Sequence, residues 1–233
     1  ARDWPPDTLE LRAPGDITRF TAFRRGWFFV QDPAAKLAAD LCGAMPGQTI
    51  LDTCAAPGGK SFALALAMRN VGSVLAFDTE KRVPLIRDGA ARLGLTCVSA
   101  RVGDAAKFDP ALAASADIVF VDAPCSGFGV VRKKPEIRYK PPESLAALPE
   151  TQYAILRAAS GCVKPGGTLL YATCTLLDAE NGDVTARFRR DCPAFTLAEE
   201  RTLWPHRDGT DGFYICKMSK TGGYRWTDKT SKP

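Results

Sequence analysis

Residues 48–60 read Gln-Thr-Ile-Leu-Asp-Thr-Cys-Ala-Ala-Pro-Gly-Gly-Lys, an apolar run that ends on an acid and breaks into Ala-Pro-Gly-Gly. The first half, 48–54, predicts a buried strand, and 60–69, rich in Ala and Leu, predicts the helix after it. The same alternation continues outward. Ser73–Asp78 (SVLAFD) reads as a second strand, followed by a helix over about 80–93 that tolerates Pro84 near its start. Residues 96–103 give a third strand and 117–122 (DIVFVD) a fourth, bounded by acids. A mostly helical stretch with a break near Pro149 fills 142–163, and 167–174 (GTLLYATC) is a fifth strand. An amphipathic helix over 179–190 and a last strand at 212–218 complete the pattern. Strands alternating with helices predict an α/β fold with a doubly wound, mostly parallel sheet. Ligands of such sheets sit beyond the carboxyl ends of the strands, so the strand ends are the places to inspect.

The chain has 233 residues, 45% hydrophobic and 24% charged, enough for one full core. Residues 46–220 form the expected catalytic domain, 1–45 an N-terminal extension packed on it with a helix near 33–42, and 221–233 a frayed tail. No run of about 18 apolar residues occurs, which argues against a membrane helix. The start at Ala1, without Met or an apolar leader, reads as a trimmed end, and a cytoplasmic monomer is expected. Eight cysteines accompany a single histidine, His206. No two cysteines lie closer than twelve residues, so zinc-type pairs are absent and no metal is expected. A Ser-His-Asp hydrolase would have to use His206 in a Pro/Gly-flanked turn, which is disfavoured. Disulfides are disfavoured too, because the core is large and the thiols are expected to be reduced.

The turn after the first strand comprises Cys54, Ala55, Ala56, Pro57, Gly58, Gly59 and Lys60. Glycines there let backbone approach a ligand, and the free amides of a helix N-terminus favour negative charge. The turn is neither a dinucleotide fingerprint nor a phosphate loop, because a single Gly pair precedes the Lys. Asp78 stands twenty residues after Gly58, the spacing at which an acid meets ribose hydroxyls. Asp104, after the third strand, suits an adenine amino group. Taken singly each acid is as well read as a helix cap. Together they favour an adenosine, and S-adenosylmethionine fits better than NAD because no pyrophosphate needs a cradle.

Asp122-Ala-Pro-Cys125-Ser-Gly ends the fourth strand and Tyr171-Ala-Thr-Cys174-Thr the fifth. Neighbouring strand ends would bring the two thiols together beside the donor. Methylation at C5 of a pyrimidine needs such a pair: a thiolate adds to C6, C5 takes the methyl, and a base removes the C5 proton as the thiol leaves. Lys60 is a candidate to lower the pKa of the attacking thiol, and Asp122 to hold or protonate the cytosine N3 edge. The competing reading, that both cysteines only fill space, is the commoner fate of cysteine. Residues 132–140 hold five basic residues and one acid, with Arg132, Lys133, Lys134, Arg138, Tyr139 and Lys140 as candidate RNA contacts. A solvated charge run is the bland alternative.

These motifs, Asp52-x-Cys-Ala-Ala-Pro-Gly-Gly-Lys60, Asp122-Ala-Pro-Cys-Ser-Gly127 with Gly129–Tyr139, and Tyr171-x-Thr-Cys174, resemble the RsmB/Sun family of RNA cytosine-5 methyltransferases across most of 16–220, including Thr210–Tyr214. The resemblance implies a class I, Rossmann-like methyltransferase fold with an antiparallel last strand. It also implies S-adenosylmethionine on 54–60, Asp78, Asp104 and Asp122, with Cys174 as nucleophile and Cys125 assisting product release. The substrate implied is ribosomal RNA, with transfer RNA as the alternative. A non-catalytic RNA-associated scaffold and a DNA methyltransferase, whose nucleophile would be Cys125, are the other readings. Two departures stand out: Ala172-Thr173-Cys174-Thr175 where the family usually has Ser-Thr-Cys-Ser, and Glu180-Asn181-Gly182 where it has Glu-Asn-Glu. Family members of the RsmB type also carry an N-terminal helical RNA-binding domain, and the sequence begins after where it would end; the expectation is that it was removed or that substrate recognition rests on 1–45 and the 128–140 loop.

Overall fold

A computed structural model describes residues 5, 7–12, 15–107 and 109–222. Its centre is a seven-stranded sheet in the order β3-β2-β1-β4-β5-β7-β6. The strands are β1 Thr49–Asp52, β2 Ser73–Asp78, β3 Val98–Val102, β4 Ala116–Asp122, β5 Val163–Thr173, β6 Phe195–Leu203 and β7 Phe213–Lys220. β1 to β5 pair in parallel, and β7 lies antiparallel between β5 and β6. The helices are α1 Thr21–Arg24, α2 Pro33–Leu41, α3 Gly59–Ala67, α4 Val83–Leu93, α5 Leu148–Cys162, α6 Gly182–Asp191 and α7 Pro205–Asp208. The α/β class and the antiparallel last strand agree with the sequence reading. Among the described residues no helix is long and apolar enough to cross a membrane.

Central strands of a doubly wound sheet are buried on both faces, so they read as continuous apolar runs. Alternation along them then assigns each residue to a layer. Ile50, Phe120 and Leu170 face one core with Phe62, Leu64 and Ile86 of the α3 and α4 side. Leu51, Val121 and Tyr171 face the other, with Leu156 and Phe188 of α5 and α6. The N-terminal segment is tied to α4 by Arg92, which donates to the carbonyls of Phe23 and Phe28 and stacks on the Phe23 ring at 3.9 Å.

Three expectations are corrected. β6 was absent from the sequence reading: it is an edge strand with mostly exposed polar positions (FTLAEERTL), so it shows neither an apolar run nor a clean alternation. Pro149 does not break a helix but sits in the first turn of α5, where its missing N–H costs nothing. β5 begins at Val163 rather than 167, with an irregular register against Ala116 and Ile118 of β4. The expected tail falls, from 223 on, outside the described residues.

Candidate active site

The strand order decides the site. β4 and β5 are parallel neighbours with Asp122 opposite Ala172, so the chains leaving them turn into the same space. Cys125 and Cys174 meet there, Sγ to Sγ at 3.3 Å. β1 flanks β4 on its other side, and α3 leaves it to bring Lys60 to Asp122, Nζ to Oδ2 at 2.6 Å. The ion pair is largely buried, and the Lys60 ammonium also faces the Phe213 ring at 5.6 Å. Burial disfavours the Lys60 charge, but Asp122 and the neighbouring Asp52 more than offset it and hold its pKa above the ordinary lysine value.

The two thiols are electrically unequal. Cys174 is held below the usual thiol value, first by the hydrogen bond from Cys125 and further by the field of Lys60, against burial and Asp122. Cys125 is pushed well up as the donor of that bond and by burial. The inequality rests first on that hydrogen bond, and the Lys60 charge adds to it by favouring a thiolate at Cys174 while Asp122 opposes it. Cys42, Cys54, Cys97, Cys162 and Cys216 are all raised by burial, so their thiols stay neutral. For Cys54 the shift is to about 12, and its Sγ faces the Thr53 hydroxyl.

The loop from 55 to 59 is held from outside. Asp78 accepts the Ala56 N–H at 2.8 Å and, on its other oxygen, the Thr79 N–H at 2.8 Å. Each carboxylate oxygen has about two lone-pair directions; Oδ1 also takes the Thr79 hydroxyl at 3.3 Å, so Oδ2 is the oxygen that keeps capacity for a ribose hydroxyl. Arg82 donates to the Ala56 carbonyl at 2.8 Å, closing the turn from the same side. Gly58 has φ 113°, a left-handed conformation that side chains avoid, and a Cβ there would lie 2.3 Å from the Phe62 ring. Asp104 is exposed and pairs with Lys107 at 3.1 Å. It lines a cavity of about 400 Å³ with Phe77, Val102, Gly103 and Leu112, apolar walls that suit a flat base. That cavity holds neither thiol, so it fits only the distal end of a nucleoside.

The candidate RNA loop is divided by the structure. Arg132 and Lys133 are engaged in ion pairs with Asp32 and Asp211. Lys140 donates to the Ser126 carbonyl at 2.7 Å, next to Cys125. Lys134, Arg138 and Tyr139 are exposed, Tyr139 at 80%, with the Arg138 guanidinium 5.7 Å from its ring. His206 is exposed on α7, against the Trp204 ring.

A family model described as 16S rRNA methyltransferase RsmB/F matches residues 41–219. The chain belongs to this family. It is 42% identical over 240 residues to the probable ribosomal RNA small subunit methyltransferase B of Bacillus subtilis, covering 94% of this chain and 54% of that one. It spans about half the length of the curated relatives it matches. Among solved structures, NSun6 from Pyrococcus horikoshii with SFG, an S-adenosylmethionine analogue, is 27% identical at TM-score 0.77, over 90% of this chain and 57% of that one. A methyltransferase homologue from the same organism is also 27% identical, at TM-score 0.75, over 89% and 72% of the two chains.

The family match covers every motif read from the sequence. The structure adds residues that reading left without a role. Glu180 is buried and accepts the Ser126 N–H at 2.9 Å and the Gln152 amide at 2.8 Å, while Gln152 also donates to the Pro124 carbonyl. Asn181 accepts from the Thr173 hydroxyl and donates to the Thr175 carbonyl. The Ser126 and Thr175 hydroxyls meet at 2.7 Å. Both cysteine loops are thus fastened to Glu180-Asn181, whose signal was the dipeptide in the sequence. Gly182, where the family usually has Glu, opens α6 and makes none of these bonds.

Proposed function

We propose that this chain methylates C5 of a cytosine in RNA, with S-adenosylmethionine as donor and a transient bond between Cys174 Sγ and cytosine C6. The observation that carries the reading is the thiol pair at 3.3 Å, with Lys60 favouring the anion on Cys174. The turn from Cys54 to Lys60, Asp78 and the cavity beside Asp104 fit the donor, which supplies an electrophilic methyl group when bound. Cys174 thiolate adds to C6, and electron density moves to C5, which becomes the nucleophile. Asp122, paired to Lys60, accepts from the exocyclic amine, and the ammonium supplies a proton toward N3 as charge builds on the ring. After transfer the C5 proton goes to a base, the 5,6 double bond re-forms and Sγ leaves. The neutral Cys125 thiol beside Sγ assists that departure. Lys134, Arg138 and Tyr139 contact RNA phosphates and bases at the rim. Ribosomal RNA is the substrate that the relatives' names favour, and a cytoplasmic enzyme is part of the same reading.

The test is incubation with labelled S-adenosylmethionine and total RNA, followed by bisulfite mapping. Cys174→Ala abolishes transfer, and Cys125→Ala accumulates covalent protein–RNA complex. Methylation surviving in Cys174→Ala refutes the nucleophile. Indispensability of Cys125 alone points to the DNA-type mechanism, and no methylation of any RNA points to a scaffold.

A further inference from the structure

The backbone of Cys174 is held from the far side of the basic loop. Its carbonyl accepts the Gly129 N–H at 2.9 Å, and the Gly129 carbonyl accepts the Gly212 N–H at 2.8 Å. The two glycines approach so closely that a Cβ on Gly129 would lie 2.0 Å from the Gly212 oxygen and 2.8 Å from the Cys174 oxygen. Two hydrogen bonds and a glycine contact thus connect the cysteine to Asp211.

Asp211 in turn belongs to a four-charge cluster. Its carboxylate takes Arg132 Nε at 3.0 Å and Lys133 Nζ at 2.8 Å, and its N–H donates to Asp32 at 3.1 Å. Asp32 takes Arg132 at 3.2 Å and Lys133 at 2.7 Å while capping α2 through the Ala34 N–H. The two carboxylates are 7% and 10% exposed, and the two cations are half exposed. Two buried acids and two partly buried bases balance in charge. Such a pairing is costly to break from one side, because an unpaired buried charge remains. The cluster joins four elements: α2, which packs on α3 of the donor turn, the 128–134 turn, the turn before β7 and, through Gly129, the end of β5.

We propose that Asp211 is a positioning residue for the nucleophile, its ion pairs to Arg132 and Lys133 locking Gly129 against the Cys174 carbonyl. With the lock closed, Sγ of Cys174 stays within reach of Cys125 and in the field of Lys60. This rests on Cys174 being the attacking thiol. Arg132 and Lys133 accordingly serve as the lock first, and the exposed Lys134 and Arg138 carry the contact with phosphate.

The test needs no RNA. Iodoacetamide alkylation of Cys174 is followed by peptide mass spectrometry across pH, with amide hydrogen exchange and S-adenosylmethionine affinity measured alongside. Asp211→Asn keeps shape and backbone donors and removes the charge. Its expected effect is a Cys174 alkylation profile displaced to higher pH, with the rate at pH 7 down about threefold to tenfold as the thiolate fraction falls. Exchange over 128–134 and 210–213 accelerates at least about tenfold, and donor affinity is retained. Asp211→Glu, which restores the charge, recovers part of the profile, an outcome that mere loss of stability does not give. Lys133→Gln removes only a half-exposed partner and gives the same direction at smaller amplitude, which keeps the test open if Asp211→Asn fails to fold. An unchanged alkylation midpoint and unchanged exchange in folded Asp211→Asn or Lys133→Gln overturn the lock. Failure of RNA methylation with the alkylation shift intact overturns the proposed activity instead.

Discussion

Glu180 gives the sharpest quantitative prediction. Its side chain is 2% exposed and accepts the buried Ser126 N–H and the Gln152 amide. Truncation in Glu180→Ala leaves the Ser126 N–H without an acceptor, which costs about 1–3 kcal/mol. Gln152 keeps the Pro124 carbonyl, so its loss is closer to about 1 kcal/mol. Removing the buried stem adds roughly 1 kcal/mol per methylene, with a cavity beyond that. Against these stands relief, since the other carboxylate oxygen is buried without a partner. The balance is a net destabilisation of about 2–4 kcal/mol, or roughly 5–15 °C in Tm for a chain of this length. Glu180→Gln preserves an oxygen for Ser126 and stays within about 1 kcal/mol of the parent. Urea denaturation followed by far-ultraviolet circular dichroism measures both. A Glu180→Ala stability within about 1 kcal/mol of the parent refutes the missing-acceptor account. That account also fails if Glu180→Gln is as damaging as Glu180→Ala, which would assign the effect to charge instead of to the missing acceptor.

Two further outcomes are expected. Lys60→Met removes a cation that favours the Cys174 anion while Asp122 stays, so the Cys174 alkylation midpoint rises; a midpoint unchanged in the variant refutes the role of Lys60. Asp52 is fully buried, and burial raises its pKa from the ordinary 3.8 to about 7, so the folded chain binds this proton more tightly than the unfolded chain and stability falls as pH rises from about 4 to about 7. Asp52→Asn is therefore more stable than the parent by about 2–4 kcal/mol at pH 8 and close to it at pH 4, and parallel stability curves across that range refute the assignment.

Most of the central fold was legible because parallel strands covered on both faces have to be apolar throughout. Thr49–Asp52, Ser73–Asp78 and Ala116–Asp122 therefore stand out without any partner information. β6 was not, because an edge strand owes its existence to hydrogen bonds with β7 and leaves its faces to solvent. The site divides in the same way. The thiols, the donor turn and its acids sit at strand ends, and strand ends can be read once strands are found. Asp32 and Asp211 are 179 positions apart in the chain and carry no motif of their own toward each other. Arg132 and Lys133 read as solvated or RNA-facing cations for the same reason, since their partners come from opposite ends of the chain.

The geometry also explains why two loops, and not one, have to be fastened. Cys125 follows β4 by three residues and Cys174 follows β5 by one, so parallel pairing fixes where each loop begins and not where its thiol ends. A displacement of about 1 Å between reacting groups is enough to cost on the order of a hundredfold in rate. Glu180 and Gln152 hold the Cys125 loop from the α5–α6 layer, through Ser126 and Pro124. Gly129, backed by Asp211, holds the carbonyl of Cys174 from the opposite layer, where α2 and the Asp32 cap lie. Cys125 is thus held from one layer and Cys174 from both, because Asn181 also bonds Thr173 and Thr175 on either side of it. Loosening the Glu180 hold frees the Cys125 loop, and loosening the Gly129 hold leaves Cys174 on its Asn181 bonds alone. Glu180→Ala should therefore expose Cys125 to alkylation, and Asp211→Asn should withdraw Cys174 from Lys60. If the two variants instead gave the same change at the same thiol, the loops would be moving as one unit and the two-layer restraint would be wrong.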